Sequence, residues 1–332
     1  MNETHVATHG TLDTHRRVTV VGAGVIGSSW TALFLAKGLT VTVTDPLPDV
    51  DQQVHDQLQR TIPTLRALGL PTAGLDRNLR FEADLGKAVA DADVVQENGP
   101  ERLDVKRDLF ARIEKAARPD ALLISSTSGI RATDIAQALQ QPARLVIGYP
   151  FNPPHLIPLV EVVAGEKTDP EVVKRAVAFY TALGKKPQVL RKEVPGFVAN
   201  RLQAALFREA VNLVVQGVVT ESELDNIVTS SIGLRWAVAG PFRSFHLGGG
   251  PGGLPHFLEH LGPGLESLWR DLGTPALDEP TVQLLSGQAR FGASIEELDA
   301  ARDEAQIKVM QAASVPLTLA IEPARKRGAG DD

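Results

Sequence analysis

A glycine turn set between two apolar strands constrains this chain more than any other stretch. Val18–Val21 is a β-branched run, and Gly22-Ala23-Gly24-Val25-Ile26-Gly27 follows at once. Ser28–Lys37 then reads as a helix with Gly38 as its stop, and Leu39–Thr44 is a second strand ending at Asp45. Strand, turn, helix and strand make a βαβ unit. The G-x-G-x-x-G pattern is weak alone and strong in this setting, where it predicts a dinucleotide site. Gly22 permits the tight turn, Gly24 lets the backbone approach a pyrophosphate, and Gly27 lets helix and strand pack closely. The helix start, at Val25 and Ile26, offers free N–H groups and partial positive charge to the phosphates.

Asp45 stands 18 residues past Gly27. A carboxylate there bonds the ribose hydroxyls and repels a 2′-phosphate. Pro46, Leu47 and Pro48 follow it, with no arginine to receive such a phosphate. NAD is therefore expected over NADP.

Further strands are expected at Asp93–Gln96, Leu122–Ser125, Arg144–Gly148, Leu159–Val163 and Gln188–Leu190. Helices are expected at Gln52–Leu68 (interrupted near Pro63), Asp104–Arg118, Thr133–Leu139 and Pro170–Leu183. Alternating strands and helices predict an α/β fold with a doubly wound, Rossmann-type parallel sheet. After Val194 the pattern changes. Val198–Val215, Glu221–Ser231 and Glu296–Ala313 have helical spacing and no strand signal recurs. The expected division is a loose N-terminus (1–15), an NAD-binding domain (16–193), an all-helical C-terminal domain (194–321) and a loose tail (322–332).

Composition narrows the function. With 34 basic and 40 acidic residues the net charge is −6, and no basic stripe suggests nucleic acid as a partner. There is no cysteine, which removes disulfides, thiolate nucleophiles and cysteine metal sites. The first 15 residues lack the apolar core of a signal peptide, and no apolar run reaches membrane-spanning length, so a cytoplasmic setting is expected. His256-Phe257-Leu258-Glu259-His260 matches H-x-x-E-H, but no third ligand is indicated; two histidines on a solvated helix are the simpler reading, and no metal is expected.

Several segments act together as a family signature. They are Gln96-Glu97-Asn98-Gly99-Pro100-Glu101, Ser125-Ser126-Thr127-Ser128, Gly148–Glu161 (GYPFNPPHLIPLVE), Pro195-Gly196-Phe197-Val198-Ala199-Asn200-Arg201 and Gly233-Leu234-Arg235-Trp236-Ala237. With the glycine turn they resemble the 3-hydroxyacyl-CoA dehydrogenase superfamily, especially its carnitine dehydrogenase, L-gulonate 3-dehydrogenase and lambda-crystallin branch. The resemblance runs from about Arg17 to Ala312. It implies hydride transfer between NAD and a carbon bearing a 3-hydroxyl, on a small polar acid. By matching position, Ser128 would bond the substrate oxygen, Glu161 would orient the acid–base residue, and Asn200 would steady both. The same resemblance places Glu97 beside the cofactor.

The acid–base position itself departs from the family. Tyr149 stands where the family has histidine, three residues before Asn152. Imidazole exchanges protons near neutrality, whereas a phenol ionises near pH ~10. Tyrosine there donates a proton more readily than it accepts one. The readings that follow are a 3-hydroxy-acid dehydrogenase with altered oxidation, a carbonyl or imine reductase with Tyr149 as acid, and an NAD-binding, crystallin-like protein without turnover. A 3-hydroxyacyl-CoA substrate is a further alternative, although the region after Asp45 has no lysine cluster for CoA phosphates. His155 reads as a loop-packing histidine, with a substitute acid–base role as its alternative. On the substrate side, Arg235 suits a carboxylate. Trp236 and Phe245, with Phe242, Phe257 and Trp269, suit a quaternary ammonium or ordinary core packing. A homodimer is expected from the family's helical domain.

Overall fold

The computed structural model describes residues 11, 12 and 14–313. Most of the stretches 1–15 and 322–332, expected to be loose, lie outside these. His15 is described, and it is buried with its ring 6.0 Å from that of Phe179. The chain forms two compact units that divide between Arg208 and Glu209. No helix of the described residues is long and apolar enough to cross a membrane.

The first unit is built on eight strands: β1 (Arg17–Val21), β2 (Thr40–Thr44), β3 (Leu79–Phe81), β4 (Val94–Glu97), β5 (Leu122–Ser125), β6 (Leu145–Pro150), β7 (Leu159–Ala164) and β8 (Lys186–Leu190). Their order is β3-β2-β1-β4-β5-β6-β7-β8. Every neighbouring pair is parallel except β6 and β7, which are antiparallel and bring Tyr149 opposite Glu161. Central strands β4 and β5 are buried at every residue. That is why Val94-Val95 and Leu122-Leu123-Ile124 do not alternate with polar residues, the polar Gln96, Glu97 and Ser125 coming only at the strand ends.

Among the described residues the sheet is flanked by α1 (Val25–Ala36), α2 (Val50–Ala67), α3 (Leu85–Ala90), α4 (Leu103–Ala116), α5 (Ala132–Ala136) and α6 (Pro170–Ala182). On one face Trp30 and Phe34 of α1 join Phe179 and Tyr180 of α6 over Val20, Val94 and Ile124. On the other, Phe110 and Ile113 of α4 and Ile135 of α5 cover Val95, Leu123 and Ile147. The sequence pattern missed β3 and α3, which are too short to show a period. It also placed a break near Pro63, but α2 runs through it. Pro63 faces solvent, so water replaces the one helical hydrogen bond it removes.

Helix α7 (Ala199–Val215) contains the division between the units. The second unit continues with α8 (Glu221–Ser230), α9 (Ile232–Val238), α10 (Pro241–Gly248), α11 (Gly253–Asp271), α12 (Glu279–Gln288) and α13 (Ile295–Ala313), and its described residues contain no strand. Thr220 and Glu223 start α8 with a reciprocal capping box. Helices α9 to α12 were less legible because Pro241, Pro263, Pro280 and the run Gly248–Gly253 punctuate them.

Candidate active site

The site begins at the glycine turn between β1 and α1. Gly22 has a left-handed φ of 89°, and a Cβ there would lie 2.9 Å from the Asn98 carbonyl. A Cβ on Gly27 would lie 1.9 Å from the Gly22 carbonyl oxygen, so only glycine fits. A Cβ on Gly24 would meet nothing within 4 Å. The turn is thus closed underneath and open above, as a pyrophosphate cradle requires. It lies where β1 adjoins β4 and the strand order reverses, the switch point at which doubly wound sheets bind ligands. Asp45 closes the turn from the end of β2. Its Oδ2 accepts from Ala23 N at 2.8 Å and its Oδ1 from Leu47 N at 2.9 Å. Each oxygen keeps lone-pair capacity for a ribose hydroxyl. These residues fit NAD.

Glu97, at the end of β4, is fully buried. Its carboxylate takes Lys106 Nζ at 2.8 and 3.1 Å, Gly99 N at 2.6 Å and Ser125 Oγ at 2.5 Å. It is thereby occupied with its own chain, and it fixes the Gly99–Glu101 loop beside the glycine turn. Glu101 in turn organises the loop after β5. Its Oε1 accepts from Thr127 Oγ1 (2.6 Å), Ser128 N (3.0 Å), Ser128 Oγ (3.1 Å) and Gly129 N (3.0 Å).

A cleft of about 230 Å³ opens here, lined by Ile26, Asn98, Gly99, Glu101, Lys106, Ser126, Ser128, Tyr149, Pro150 and Asn152. It joins the cofactor turn to two of the expected catalytic residues, Ser128 and Tyr149. Glu101 and Asn152 were noted from sequence only as parts of signature segments, with no role, and Lys106 was not singled out. For Lys106 a signal existed. It shares the apolar stripe of α4 with Leu103, Phe110 and Ile113, and a lysine there needs a buried partner.

Tyr149 Oη donates to Asn200 Oδ1 at 3.0 Å, and Asn200 Nδ2 donates to the Ser128 carbonyl at 3.3 Å. Burial raises the phenol pKa above its ordinary value, and the charges of Glu161 and Glu101 add to this. Glu161 is buried, and its Oε1 accepts from Val198 N (3.0 Å) and Ala199 N (3.2 Å) at the start of α7. Its Oε2 is buried with no hydrogen-bond partner among the described residues. Burial raises the Glu161 pKa, against the pull of those two N–H groups. Phe197 immediately precedes Val198 and Ala199. It has a φ of 50°, unusual for a bulky side chain, and its ring lies 5.7 Å from that of Tyr149.

The connection from β6 to β7 is clamped to α1. Ser29 Oγ accepts from His155 N at 2.9 Å and lies 2.8 Å from His155 Nδ1, so His155 is a buried loop anchor. Lys185 Nζ donates to the carbonyls of Pro154, at 2.5 Å, and Ile157, and stands 5.6 Å from the Trp30 ring centroid. Burial pushes the Lys185 pKa down to about 7.

The expected substrate residues Arg235, Trp236 and Phe245 lie in the helical unit. Arg235 and Trp236 are exposed on α9, while Phe245 stacks on Phe257 at 4.7 Å. Phe242 and Trp269 are largely exposed. His256 and His260 of the H-x-x-E-H run are exposed on α11, and no group of potential metal ligands forms among the described residues.

The family model for the 3-hydroxyacyl-CoA dehydrogenase NAD binding domain matches residues 17–194, and that for its C-terminal domain matches 196–272. The L-carnitine dehydrogenase of Streptomyces coelicolor is 47% identical over 300 residues, covering 90% of this chain and 94% of the relative. That of Pseudomonas aeruginosa is 44% identical over 295 residues, covering 88% and 92%. Among solved structures, 5-formyl-3-hydroxy-2-methylpyridine 4-carboxylic acid 5-dehydrogenase, described as an NAD+-dependent dismutase, is 33% identical with a TM-score of 0.78, covering 90% of this chain and 99% of that one. A diketoreductase is 25% identical with a TM-score of 0.59, covering 74% and 92%. The turn that cradles a dinucleotide and the two matched domains lead to one assignment: the chain belongs to the 3-hydroxyacyl-CoA dehydrogenase family of NAD-dependent oxidoreductases.

Proposed function

We propose that this chain interconverts a small polar 3-hydroxy acid and its 3-keto form, with carnitine the leading candidate. The observation that carries this is the cleft in which Ser128 and Tyr149 meet beside the glycine turn. Relatives named L-carnitine dehydrogenase, at 41–47% identity, support the substrate class. When bound, NAD supplies the hydride acceptor or donor. Ser128 Oγ then turns from Glu101 toward the substrate oxygen, and Tyr149 handles its proton. Asn200 orients Tyr149, and Glu161 holds the start of α7 that carries Asn200. The helical unit's proposed contribution is Arg235 for a carboxylate, with Trp236 and Phe245 for a quaternary ammonium.

A homodimer accompanies this reading. The helical unit leaves Leu234, Phe242, Leu247 and Trp269 more than 60% exposed, apolar area that a second copy would cover. A cytoplasmic location is proposed with it.

The test is NAD(H) turnover with L-carnitine, L-gulonate, 3-hydroxybutyrate and 3-hydroxybutyryl-CoA and with their ketones. Preference for carnitine or its ketone supports the proposal. Preference for the CoA thioester would replace it, and cofactor binding without turnover of any would remove it.

A further inference from the structure

We propose that Tyr149 is a dedicated proton donor and that the site is built to reduce a 3-keto acid rather than to oxidise the alcohol. This rests on the NAD-linked 3-hydroxy-acid reading above and assigns its direction.

The orientation of Asn200 carries the argument. Its Nδ2 is engaged by the Ser128 carbonyl at 3.3 Å, which leaves Oδ1 facing the phenol at 3.0 Å. An amide oxygen only accepts. The hydrogen bond of Tyr149 therefore exists only while the phenol keeps its proton, and a phenolate would face a lone pair. No acceptor stands ready to make Tyr149 a base. Glu161, opposite it on β7, spends Oε1 on two backbone N–H groups, and its buried Oε2 makes no bond to the phenol.

The surrounding charges act in the same sense. Glu161 faces Tyr149 from β7 and Glu101 from the loop after β4. Lys106 of α4 lies 2.8 Å from Glu97 and 3.9 Å from Glu101, so its charge is already matched. Among the described residues no histidine or arginine lines the cleft, and Arg201, next to Asn200 on α7, donates to the Pro195 carbonyl at 3.3 Å. A site of this kind holds a neutral phenol across the neutral pH range.

The step balances with groups already named. The carbonyl carbon takes the hydride pair that reduced NAD supplies, and the carbonyl π pair moves onto oxygen. The Tyr149 Oη–H bond breaks as the new O–H bond forms on the substrate. An alkoxide is more basic than a phenolate, so the proton moves toward substrate even from a weakened phenol. The phenolate takes up one proton from the bulk solvent, relayed by water entering the cleft, and Asn200 Oδ1 accepts from the restored hydroxyl.

The experiment compares wild type, Tyr149→Phe and Tyr149→His. NADH oxidation by 3-dehydrocarnitine is followed against pH, with NADH binding measured by fluorescence. Wild type should reduce the ketone at a rate that does not vary from pH ~6 to ~9, and Tyr149→Phe should lose about 10²–10⁴-fold in rate with NADH affinity unchanged. Tyr149→His should acquire an inflection near its own pKa, about 6.5. An independent readout comes from the tyrosine count, because Tyr149 and Tyr180 are the only two. The ultraviolet titration of wild type minus that of Tyr149→Phe belongs to Tyr149, and it should show no phenolate below pH ~10. A phenolate forming near neutrality would overturn the proposal. So would a Tyr149→Phe variant that still reduces at a wild-type rate, which leaves the dehydrogenase reading standing. A wild type that binds NADH yet reduces no 3-keto acid removes that reading as well.

Discussion

Tyr149 and Glu161 face each other across the antiparallel pair β6 and β7, yet the Tyr149 hydroxyl donates to Asn200, and one buried oxygen of Glu161 has no hydrogen-bond partner among the described residues. The family resemblance assigns that carboxylate the task of orienting the acid–base residue. In this chain Glu161 Oε1 accepts from Val198 N and Ala199 N at the start of α7. The amide at the same helix start binds the tyrosine.

The Glu161 pKa is raised by burial, and the sign of its effect on stability follows. The unfolded carboxyl ionises near pH ~4.3, while the folded one stays protonated to higher pH. Between those values the folded state binds more protons, so this group's contribution falls as pH rises. Glu161→Gln removes it. Thermal melts from pH 4 to 8 should show the variant gaining on wild type as pH rises; a constant difference would contradict the raised pKa.

Asn200→Ala removes the bridge between Tyr149 and the Ser128 carbonyl. One buried side-chain bond of this kind is worth about 1 kcal/mol of stability, so the fold should persist. Turnover should fall by about 10²-fold, because the acid–base residue loses its orientation. NAD affinity measured by calorimetry should not move, since the glycine turn is a separate structure.

Asp45 sets cofactor choice. Wild type should bind NAD(H) far better than NADP(H). Asp45→Ala should weaken NAD by about 1.5–3 kcal/mol, the value of hydrogen bonds to a charged group, and narrow the gap to NADP. Calorimetry with both dinucleotides measures this, and equal affinities in wild type would refute the role.

Lys185→Met leaves the Pro154 and Ile157 carbonyls without their buried donor. Each unpaired group costs about 1–3 kcal/mol, and denaturant unfolding at pH 6 should register the loss. The Lys185 pKa is depressed to about 7. The unfolded lysine keeps its proton to pH ~10.4, so between these values the unfolded state binds more protons and wild-type stability gains from this group as pH rises. That gain should be absent from the variant.

What the sequence determined by itself was whatever depends on near neighbours. The cofactor turn is six consecutive residues whose glycines answer to local backbone geometry, and Asp45 follows one helix and one strand later. The apolar Leu122-Leu123-Ile124 of β5 announces burial on both sides of a parallel sheet. Helix α2 was misread at Pro63 because a proline's cost depends on whether its face meets solvent, which is a tertiary property. The partners at the site were beyond reach for the same reason. Tyr149 meets Asn200 across 51 residues and Glu101 meets Ser128 across 27. Residue types and motif positions nominated Tyr149, Glu161, Ser128 and Asn200. Only the strand order, the antiparallel turn from β6 to β7 and the positive φ of Phe197 decided which of their atoms touch, because hydrogen bonds form at about 3 Å and sequence spacing sets no distance between strands.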